Sequence, residues 1–366
     1  MDIVFQKIDI DAQAKLIETV YNKISNGERI TREEGISLFD VEDLTTLGLL
    51  ADLVRWKMHP KNEVSYIIDR NINYTNVCTA DCKFCAFYRR PGDSEGYTLD
   101  KKTIGEKIQE TLDLGGTRIL LQGGHNPELK IEWYEDMFGW IKSNYNIILH
   151  ALSPSEIITI SKVSKITIPE VITRLKNAGL DSIPGGGAEV LSDRVRTIIA
   201  PGKTSSSEWL DVMEEAHRQG LKSTATMMFG HVETVAERID HMILCRELQD
   251  RTGGFYNFIP WTFHRGNTEL DFVLLPEREK TSAFEYLKTV AISRIMVDNI
   301  DTIQSSWVTQ GLKVAQISLR FGANDFGSLM IEENVVSATG LQYNMTLKKM
   351  KKAIKTAGFD PIQRNW

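Results

Sequence analysis

Three of the four cysteines lie within eight residues, as Cys78, Cys82 and Cys85 in a C-x3-C-x2-C spacing, shortly after the strand-like run 65–69. Three thiolates this close together can hold three corners of a metal cluster and leave the fourth corner open. A structural zinc site normally takes four protein ligands, and a 4Fe–4S electron carrier normally takes four cysteines. The remaining Cys245 lies far away in a helical pattern. We therefore expect an iron–sulfur cluster with one open iron; a structural metal knuckle and three unrelated buried thiols are the alternatives.

Unusual sequence also follows three other strand-like runs. These segments are Gln122-Gly123-Gly124-His125, the stretch from Ile183 to Glu189, and the stretch from Ile259 to His264. Glycines let a ligand approach the backbone closely. Apolar and aromatic side chains in the third segment can pack against a flat ring. Plain tight turns and core aromatic residues are the alternative interpretations of these segments.

Titratable and cationic side chains near the same strand ends could add acid–base or anion-binding chemistry. We take His264 and His125, ahead of His150, as acid–base candidates, because no two histidines share a metal-ligand spacing on one element. Arg194 and Arg196 could bind a carboxylate through a bidentate fork, with ordinary surface charge as the alternative. No Ser–His–Asp pattern, phosphate-binding loop or zinc-protease motif is present, so hydrolase and NTPase functions have no support.

The elements that position these segments alternate between short β-rich runs and amphipathic helices from about residue 64 onward. We predict strands at 65–69, 118–121, 147–151, 181–183, 222–229, 255–261, 301–306 and 327–331. We predict helices at 100–114, 131–143, 168–178, 207–219, 234–249, 276–295 and 311–321. About eight β/α units over roughly 270 residues predict an α/β fold, a (β/α)8 TIM-type barrel. A doubly wound open sheet is the alternative.

Three parts follow from this pattern. Residues 1–60 form an N-terminal helical extension, 61–335 form the barrel, and 336–366 form a C-terminal helical tail packed on the barrel. Within the extension, Thr31 and Glu34 form a capping-box pattern. The lysines of the tail are expected on a solvated helix face.

Length and composition describe an ordinary globular chain. The 366 residues are 42% hydrophobic and 25% charged, and the net charge is −6. This charge argues against a nucleic-acid partner, and no apolar run is long enough for a membrane span. The N-terminus lacks the pattern of a signal peptide, and the clustered cysteines do not make a disulfide framework. We expect a reducing cytoplasm.

The cysteine spacing, Phe84 before the last cysteine and the preceding strand resemble the radical S-adenosylmethionine (SAM) superfamily. The resemblance implies a barrel and a 4Fe–4S cluster held by the three clustered cysteines. It implies that SAM chelates the open iron and yields a 5′-deoxyadenosyl radical on reductive cleavage. The implied SAM contacts are the glycine-rich element and a glutamate that accepts hydrogen bonds from the ribose diol. The cofactor-binding candidates are Tyr88, Gln122, Gly123, Gly124, Glu189 and Ile259.

Longer segments narrow the resemblance. Residues 71–78 and 84–89 are similar to the radical SAM group that builds menaquinone by the futalosine route and the deazaflavin cofactor. Segments 122–127, 185–189 and 259–263 are most similar to the dehypoxanthine futalosine cyclases. This implies that dehypoxanthine futalosine becomes its cyclic form in menaquinone biosynthesis. The deoxyadenosyl radical takes hydrogen from C4′ of the ribose, the carbon radical adds to the benzoate ring, and loss of an electron and a proton restores aromaticity.

The implied substrate assigns further roles. His264 or Glu189 would take the final proton, and Arg89, Arg194 or Arg265 would bind the benzoate, with His125 as another substrate-binding candidate. The implied electron donor is a protein such as flavodoxin or ferredoxin, and a homodimer is left open. The alternatives are a sister radical SAM enzyme, aminofutalosine synthase or deazaflavin-precursor synthase, and a non-catalytic iron–sulfur or metal-binding protein.

Overall fold

The computed structural model describes residues 10–271, 279–340 and 345–365. The helices are α1 (Ile10–Asn26), α2 (Arg32–Leu38), α3 (Leu44–Met58), α4 (Lys101–Asp113), α5 (Ile131–Asn144), α6 (Pro154–Ser164), α7 (Ile168–Ala178), α8 (Asp193–Ile199), α9 (Ser206–Arg218), α10 (Val235–Thr252), α11 (Ala283–Met296), α12 (Trp307–Ser318) and α13 (Leu347–Thr356). The strands are β1 (Glu63–Ile67), β2 (Asp69–Ile72), β3 (Arg118–Leu121), β4 (Ile148–Ala151), β5 (Ser182–Ile183), β6 (Lys222–Phe229), β7 (Phe255–Thr262), β8 (Thr302–Ile303), β9 (Asp325–Ser328) and β10 (Asp360–Gln363).

Seven parallel strands, β2 to β8, pair in chain order and form one sheet. β9 meets the far edge of this sheet at the single bridge Gln304–Asp325 and pairs with β1, which leads directly into β2. Main-chain hydrogen bonds therefore continue from the edge at β8 through β9 to β1. The predicted TIM-like α/β barrel is confirmed, with the open doubly wound sheet excluded by this return to β1.

Local capping chemistry sets many of the helix ends. Thr31 and Glu34 form the predicted capping box at α2, and Thr167 accepts from the N–H of Glu170 at the start of α7. Gly179, with φ 114°, ends α7 in the left-handed region, where glycine carries no Cβ penalty. These side chains satisfy backbone groups that a helix end otherwise leaves unpaired. The predicted bounds of α7 are therefore confirmed.

Several predicted elements differ from the structure. The strand predicted at 65–69 is two strands separated by Ile68, and α6 and α8 were not predicted. The helix predicted to begin at Gly311 begins earlier, at Trp307, and bends at Gly311, whose φ is 77°. The helix predicted at 276–295 is observed as α11 from Ala283, and residues 276–278 lie outside the described residues.

The end helices and the tail pack on the barrel. α3 lies against α11, and Gly48 of α3 approaches the ring of Phe321 so closely that a Cβ would lie 2.9 Å from it. The tail forms α13 as expected, but the chain then forms β10, which pairs in parallel with β1. The boundaries at residues 60 and 335 stay predictions. None of the helices within the described ranges is long and apolar enough to cross a membrane.

Candidate active site

The cluster loop, residues 78–85, follows β2 and shelters its cysteines. Two of the three are buried, Cys85 is partly buried, and all three are free of disulfides. The sulfur of Cys78 accepts hydrogen bonds from the N–H groups of Ala80 at 3.4 Å and His125 at 3.2 Å. Hydrogen bonds to sulfur stabilise thiolate charge and tune iron–sulfur clusters. The loop therefore has the donors that a bound cluster needs.

Burial raises the pKa of the Cys82 thiol to about 12. Burial also raises the pKa of Cys85, although the N–H groups of Phe87 and Tyr88 act in the opposite direction. Such thiols keep their protons unless a cation binds to the sulfur, and iron is such a cation. The described parts of the chain hold no group of three or more His, Cys, Asp or Glu arranged around a single metal ion. Cysteine thiolates are the donors that iron–sulfur clusters use, so the three cysteines fit such a cluster.

The glycine turn, residues 122–125, packs directly against the cluster loop. A Cβ at Gly124 would lie 2.8 Å from the Cβ of Cys78, and a Cβ at Gly123 would lie 2.7 Å from the ring of Tyr74. The N–H of Gly124 donates to the carbonyl of Thr75 at 2.9 Å. Among the described residues, no donor bonds the carbonyl oxygen of Gly123. The turn therefore brings free backbone close to the cysteines, which is the use that glycine permits.

Glu189 follows β5 in a strained conformation, with φ 42° in the left-handed region. Its Oε1 accepts from Lys203 at 2.9 Å, and its Oε2 lies 3.7 Å from Arg196. Oε2 is buried and has no hydrogen-bond donor among the described residues. Strained residues and unsatisfied buried acceptors cluster at functional sites. Glu189 therefore presents an acceptor that a ligand could use.

A cavity of about 260 Å³ lies inside the barrel. Gln122, Gly186 and Glu189 line it where strands end, and Ile259, on β7, also lines it. Further apolar lining comes from Trp261, Trp307, Val308, Met330 and Val336. In TIM barrels the chemistry lies at the C-terminal ends of the strands. The cavity therefore lies at this end of the barrel, between the glycine-rich segments and the apolar side chains.

Two ion pairs lie at the floor of this cavity, which is lined by Asp69, Arg118 and Arg364. β2 and β3 place Asp69 in register with Arg118, whose Nε donates to the carboxylate at 2.9 Å. The second pair joins Asp325 of β9 to Arg364, which follows β10, at 2.6 Å. Asn257 also lines the cavity, and its Oδ1 is buried without a donor among the described residues. Because each cation faces a carboxylate, the floor is polar but close to neutral.

Sequence reasoning missed this floor. Arg118 could have been found as a charged residue at the start of an apolar strand run, because a charge there must point into a barrel or toward a partner. Asp69 begins a strand whose residues are mostly polar, so its pattern gives no such signal. Arg364 carries no such signal, since its position depends on the pairing of β10 with β1 across the length of the chain.

A second cavity, of about 520 Å³, opens at the other end of the barrel. His59, Glu63 and Thr302 line it, where strands begin. It is larger, but the cluster loop and the glycine turn lie elsewhere. Position at this end of a TIM barrel indicates a role in stability. We therefore place the candidate site in the smaller cavity.

Several predicted residues lie outside the cavity lining. Arg89 pairs with Glu95, Arg194 is exposed and pairs with Glu237, and Arg265 pairs with Asp271. Tyr88 donates to Asp81 at 3.0 Å beside the cluster loop.

The three candidate histidines lie in different places. His125 is buried against the cluster loop, where burial lowers the pKa of its imidazole to about 3. His264 bonds to Thr339 at 2.9 Å, and burial lowers its pKa. His150, ranked last from the sequence, is the one that lines the cavity, with Nδ1 2.7 Å from the hydroxyl of Ser182.

Comparisons with known proteins agree with this geometry. The model of the Radical SAM superfamily matches residues 72–245, and that of the CofH/MqnC C-terminal region matches residues 252–366. The methylornithine synthase PylB has a similar fold, with a TM-score of 0.70 and 18% identity over 94% of this chain and 98% of that one.

Full-length relatives are more similar in sequence. The cyclic dehypoxanthine futalosine synthase of Halalkalibacterium halodurans is 43% identical over 95% of this chain and 93% of its own. The Streptomyces coelicolor protein of the same name is 44% identical over 95% of this chain and 87% of its own. Relatives named for sister reactions are 36% to 38% identical. The chain therefore belongs to the radical SAM superfamily and, within it, to the group that carries the CofH/MqnC C-terminal region.

Proposed function

We propose that this protein is a radical SAM enzyme that converts dehypoxanthine futalosine to cyclic dehypoxanthine futalosine in menaquinone biosynthesis. The observation that carries the proposal is the 43% to 44% identity, over 95% of the chain, to relatives with that name. The site supports it, because three free cysteines lie beside a glycine turn and the barrel encloses a cavity.

We propose that Cys78, Cys82 and Cys85 hold a 4Fe–4S cluster with one open iron, and that SAM binds there. The unbonded carbonyl of Gly123 supports a contact to the SAM ammonium group. The unsatisfied Oε2 of Glu189 supports a contact to the ribose diol. The remaining proposed SAM contacts are Tyr88, Gln122, Gly124 and Ile259.

When bound, the cluster and SAM would supply a 5′-deoxyadenosyl radical able to take the hydrogen from C4′ of the substrate ribose. The substrate carbon radical would add to the benzoate ring, which would then pass one electron to the oxidised cluster and one proton to a base. The product has two hydrogens fewer than the substrate. The protein's part is to hold C4′ and the ring in contact and to keep other reactants out. The apolar wall formed by Trp261 and Trp307 suits the aromatic ring.

We propose His264 or Glu189 as the base for the final proton. We assign the hydroxyl proton of Thr339 to the carbonyl of Val336 at 2.6 Å, and under this assignment the hydroxyl accepts from Nδ1–H of His264. Nε2 of the neutral ring is then the basic nitrogen. This tautomer supports His264 as the base.

The benzoate-binding cation stays a prediction among Arg89, Arg194 and Arg265, with His125 as a further substrate-binding candidate. Each of the three arginines already pairs with a carboxylate. A substrate carboxylate would have to compete with that partner.

We also propose a flavodoxin- or ferredoxin-type protein as the electron donor. We propose a reducing cytoplasmic location, because the thiols of the cluster loop are free. A homodimer is left open. We propose the same three-part organisation, with divisions at residues 60 and 335, as a description of the chain.

The test is anaerobic. The protein is reconstituted with iron and sulfide and mixed with dithionite, SAM and dehypoxanthine futalosine, and the products are read by mass spectrometry. We expect 5′-deoxyadenosine and a product lighter than the substrate by two hydrogens. Deoxyadenosine with unchanged substrate would point to a sister enzyme, aminofutalosine synthase or deazaflavin-precursor synthase. A full cluster without SAM cleavage would refute the enzyme class.

A further inference from the structure

A buried carboxyl group lies directly behind the glycine turn. Glu156, in the first turn of α6, is 3% exposed. Its Oε1 accepts from the N–H of Gly123 at 3.0 Å and from the hydroxyl of Tyr74 at 2.8 Å. The hydroxyl of Tyr134 lies 3.2 Å from that of Tyr74. The carboxyl therefore ties the glycine turn to a buried network of hydroxyl groups.

The two peptide groups on either side of Gly123 are both held. On one side, the carbonyl of Gln122 accepts from the side chain of Asn73 at 3.2 Å, and the N–H of Gly123 donates to Glu156. On the other side, the N–H of Gly124 donates to the carbonyl of Thr75. Glycine samples a wide range of backbone angles, so without these bonds the peptide could rotate. The bond that the N–H of Gly123 donates to Glu156 holds the first peptide, and the bond of Gly124 holds the second. The carbonyl of Gly123, in the second peptide, is left for a ligand.

Burying the carboxyl group of Glu156 costs free energy of folding. Burial raises its pKa to about 7, against the donors Gly123, Ser153 and Tyr74 and the charge of Lys203. A buried carboxyl that only filled space could be replaced by an apolar side chain without that cost. Its carboxylate instead accepts from the N–H of Gly123, the turn residue whose carbonyl lacks a donor among the described residues, and this contact points to a different role.

We propose that Glu156 is a positioning residue for SAM binding, acting through the N–H of Gly123. The inference rests on the proposed function for the identity of the ligand. It assigns no contact between Glu156 and SAM. It makes SAM affinity, rather than cluster content or substrate affinity, the property that depends on this side chain.

The test compares three variants of the reconstituted enzyme by SAM dissociation constant, iron and sulfide per chain, and KM for dehypoxanthine futalosine. Glu156→Leu keeps the volume and removes the acceptor, and Glu156→Gln keeps an acceptor. Tyr134→Phe removes a hydroxyl from the same buried network and leaves the Gly123 bond intact. We expect Glu156→Leu to weaken SAM binding tenfold or more, at unchanged iron content and with substrate KM within twofold. We expect the SAM dissociation constants of Glu156→Gln and Tyr134→Phe to stay within threefold of the wild-type value.

Two results would overturn the proposal. One is wild-type SAM affinity in folded Glu156→Leu. The other is an equal loss in Glu156→Leu and Tyr134→Phe, which would mean that the network acts on stability alone. If Glu156→Leu does not fold, Glu156→Ala provides the same comparison. SAM binding needs no substrate, so failure of cyclisation in the wild type would refute the proposed function and leave this inference standing.

Discussion

Substitution of Gly124 by alanine tests whether the glycine turn and the cluster loop are packed as closely as the structure has them. A Cβ at this position would lie 2.8 Å from the Cβ of Cys78 and closer still to the carbonyl oxygen of Val77. An ordinary carbon–oxygen contact is about 3.3 Å, so the contact with the oxygen of Val77 alone would require the two segments to part by about 1 Å. The nearest atom belongs to the backbone, so no side-chain rotation relieves the overlap.

The expected cost is that of overpacking a close-packed interior, about 1–3 kcal/mol. The displacement also acts on chemistry. Cys78 accepts a hydrogen bond from His125, the residue after Gly124, so parting the segments moves a proposed cluster ligand away from its donor. Sites of this kind tolerate about 0.5 Å of misplacement. We therefore expect Gly124→Ala to lower iron content after reconstitution and to lower the rate of deoxyadenosine formation at least tenfold.

Gly139→Ala is the matched control. Gly139 lies within α5, and a Cβ there would meet nothing within 4 Å. Alanine is favoured over glycine in a helix interior by up to about 1 kcal/mol. The control should keep full iron content and unfold at a slightly higher temperature than the wild type. Iron per chain, deoxyadenosine rate and thermal unfolding are measured for both variants, and a Gly124→Ala enzyme with wild-type iron and rate would refute the packing argument.

Three further predictions follow from the described contacts. Alanine at Cys78 should abolish SAM cleavage and lower iron per chain, while alanine at the fully buried Cys245 should leave iron content unchanged; iron analysis checks both. Arg364→Ala should destabilise the fold by about 3–5 kcal/mol in urea unfolding, because it strips the buried Asp325 of its cation. The pKa of Glu156, about 7 against 4.5 for an ordinary glutamate, means that the folded carboxyl keeps a proton that the unfolded one releases. Its contribution to stability is therefore lost as pH rises from about 4.5 to 7, and the unfolding free energy of the wild type relative to Glu156→Gln should fall by up to about 3 kcal/mol over that range.

The parts of the fold that follow from local chemistry could be predicted from the sequence. The capping box of Thr31 and the span from Thr167 to Gly179 are set within a few residues, and the structure has them as expected. The β/α alternation likewise predicted the barrel. α6 was missed, although Ser153 caps it and Pro154 opens it, because it follows its strand after only two residues.

The predictions that were wrong concern features that depend on pairing between distant parts of the chain. The tail carries a lysine-rich helical pattern, so it was expected to end as a helix. Its last described residues instead pair with β1, and that pairing brings Arg364 to the cavity floor. Among the site candidates, the glycine turn could be placed beside the cysteines from its position at a strand end. Glu156 could not, since it lies in α6, a helix that the sequence pattern did not predict, and its contact with Gly123 depends on where that helix begins.

Two parts of the chain, before and after about residue 250, form the candidate site, and they contribute different kinds of contact. Residues before it supply the cysteines, the glycine turn and Glu189, and many of their contacts use backbone groups or buried side chains held by others. Residues after it supply the side chains of Trp261, Trp307 and Met330, which form an apolar wall. Backbone contacts depend on the fold and tolerate little change, as the glycine overlaps demonstrate, whereas a wall of side chains can be reshaped by single substitutions. The proposed SAM site is of the first kind and the proposed substrate wall is of the second kind, so we expect single substitutions in the wall to change the substrate while the radical chemistry is kept.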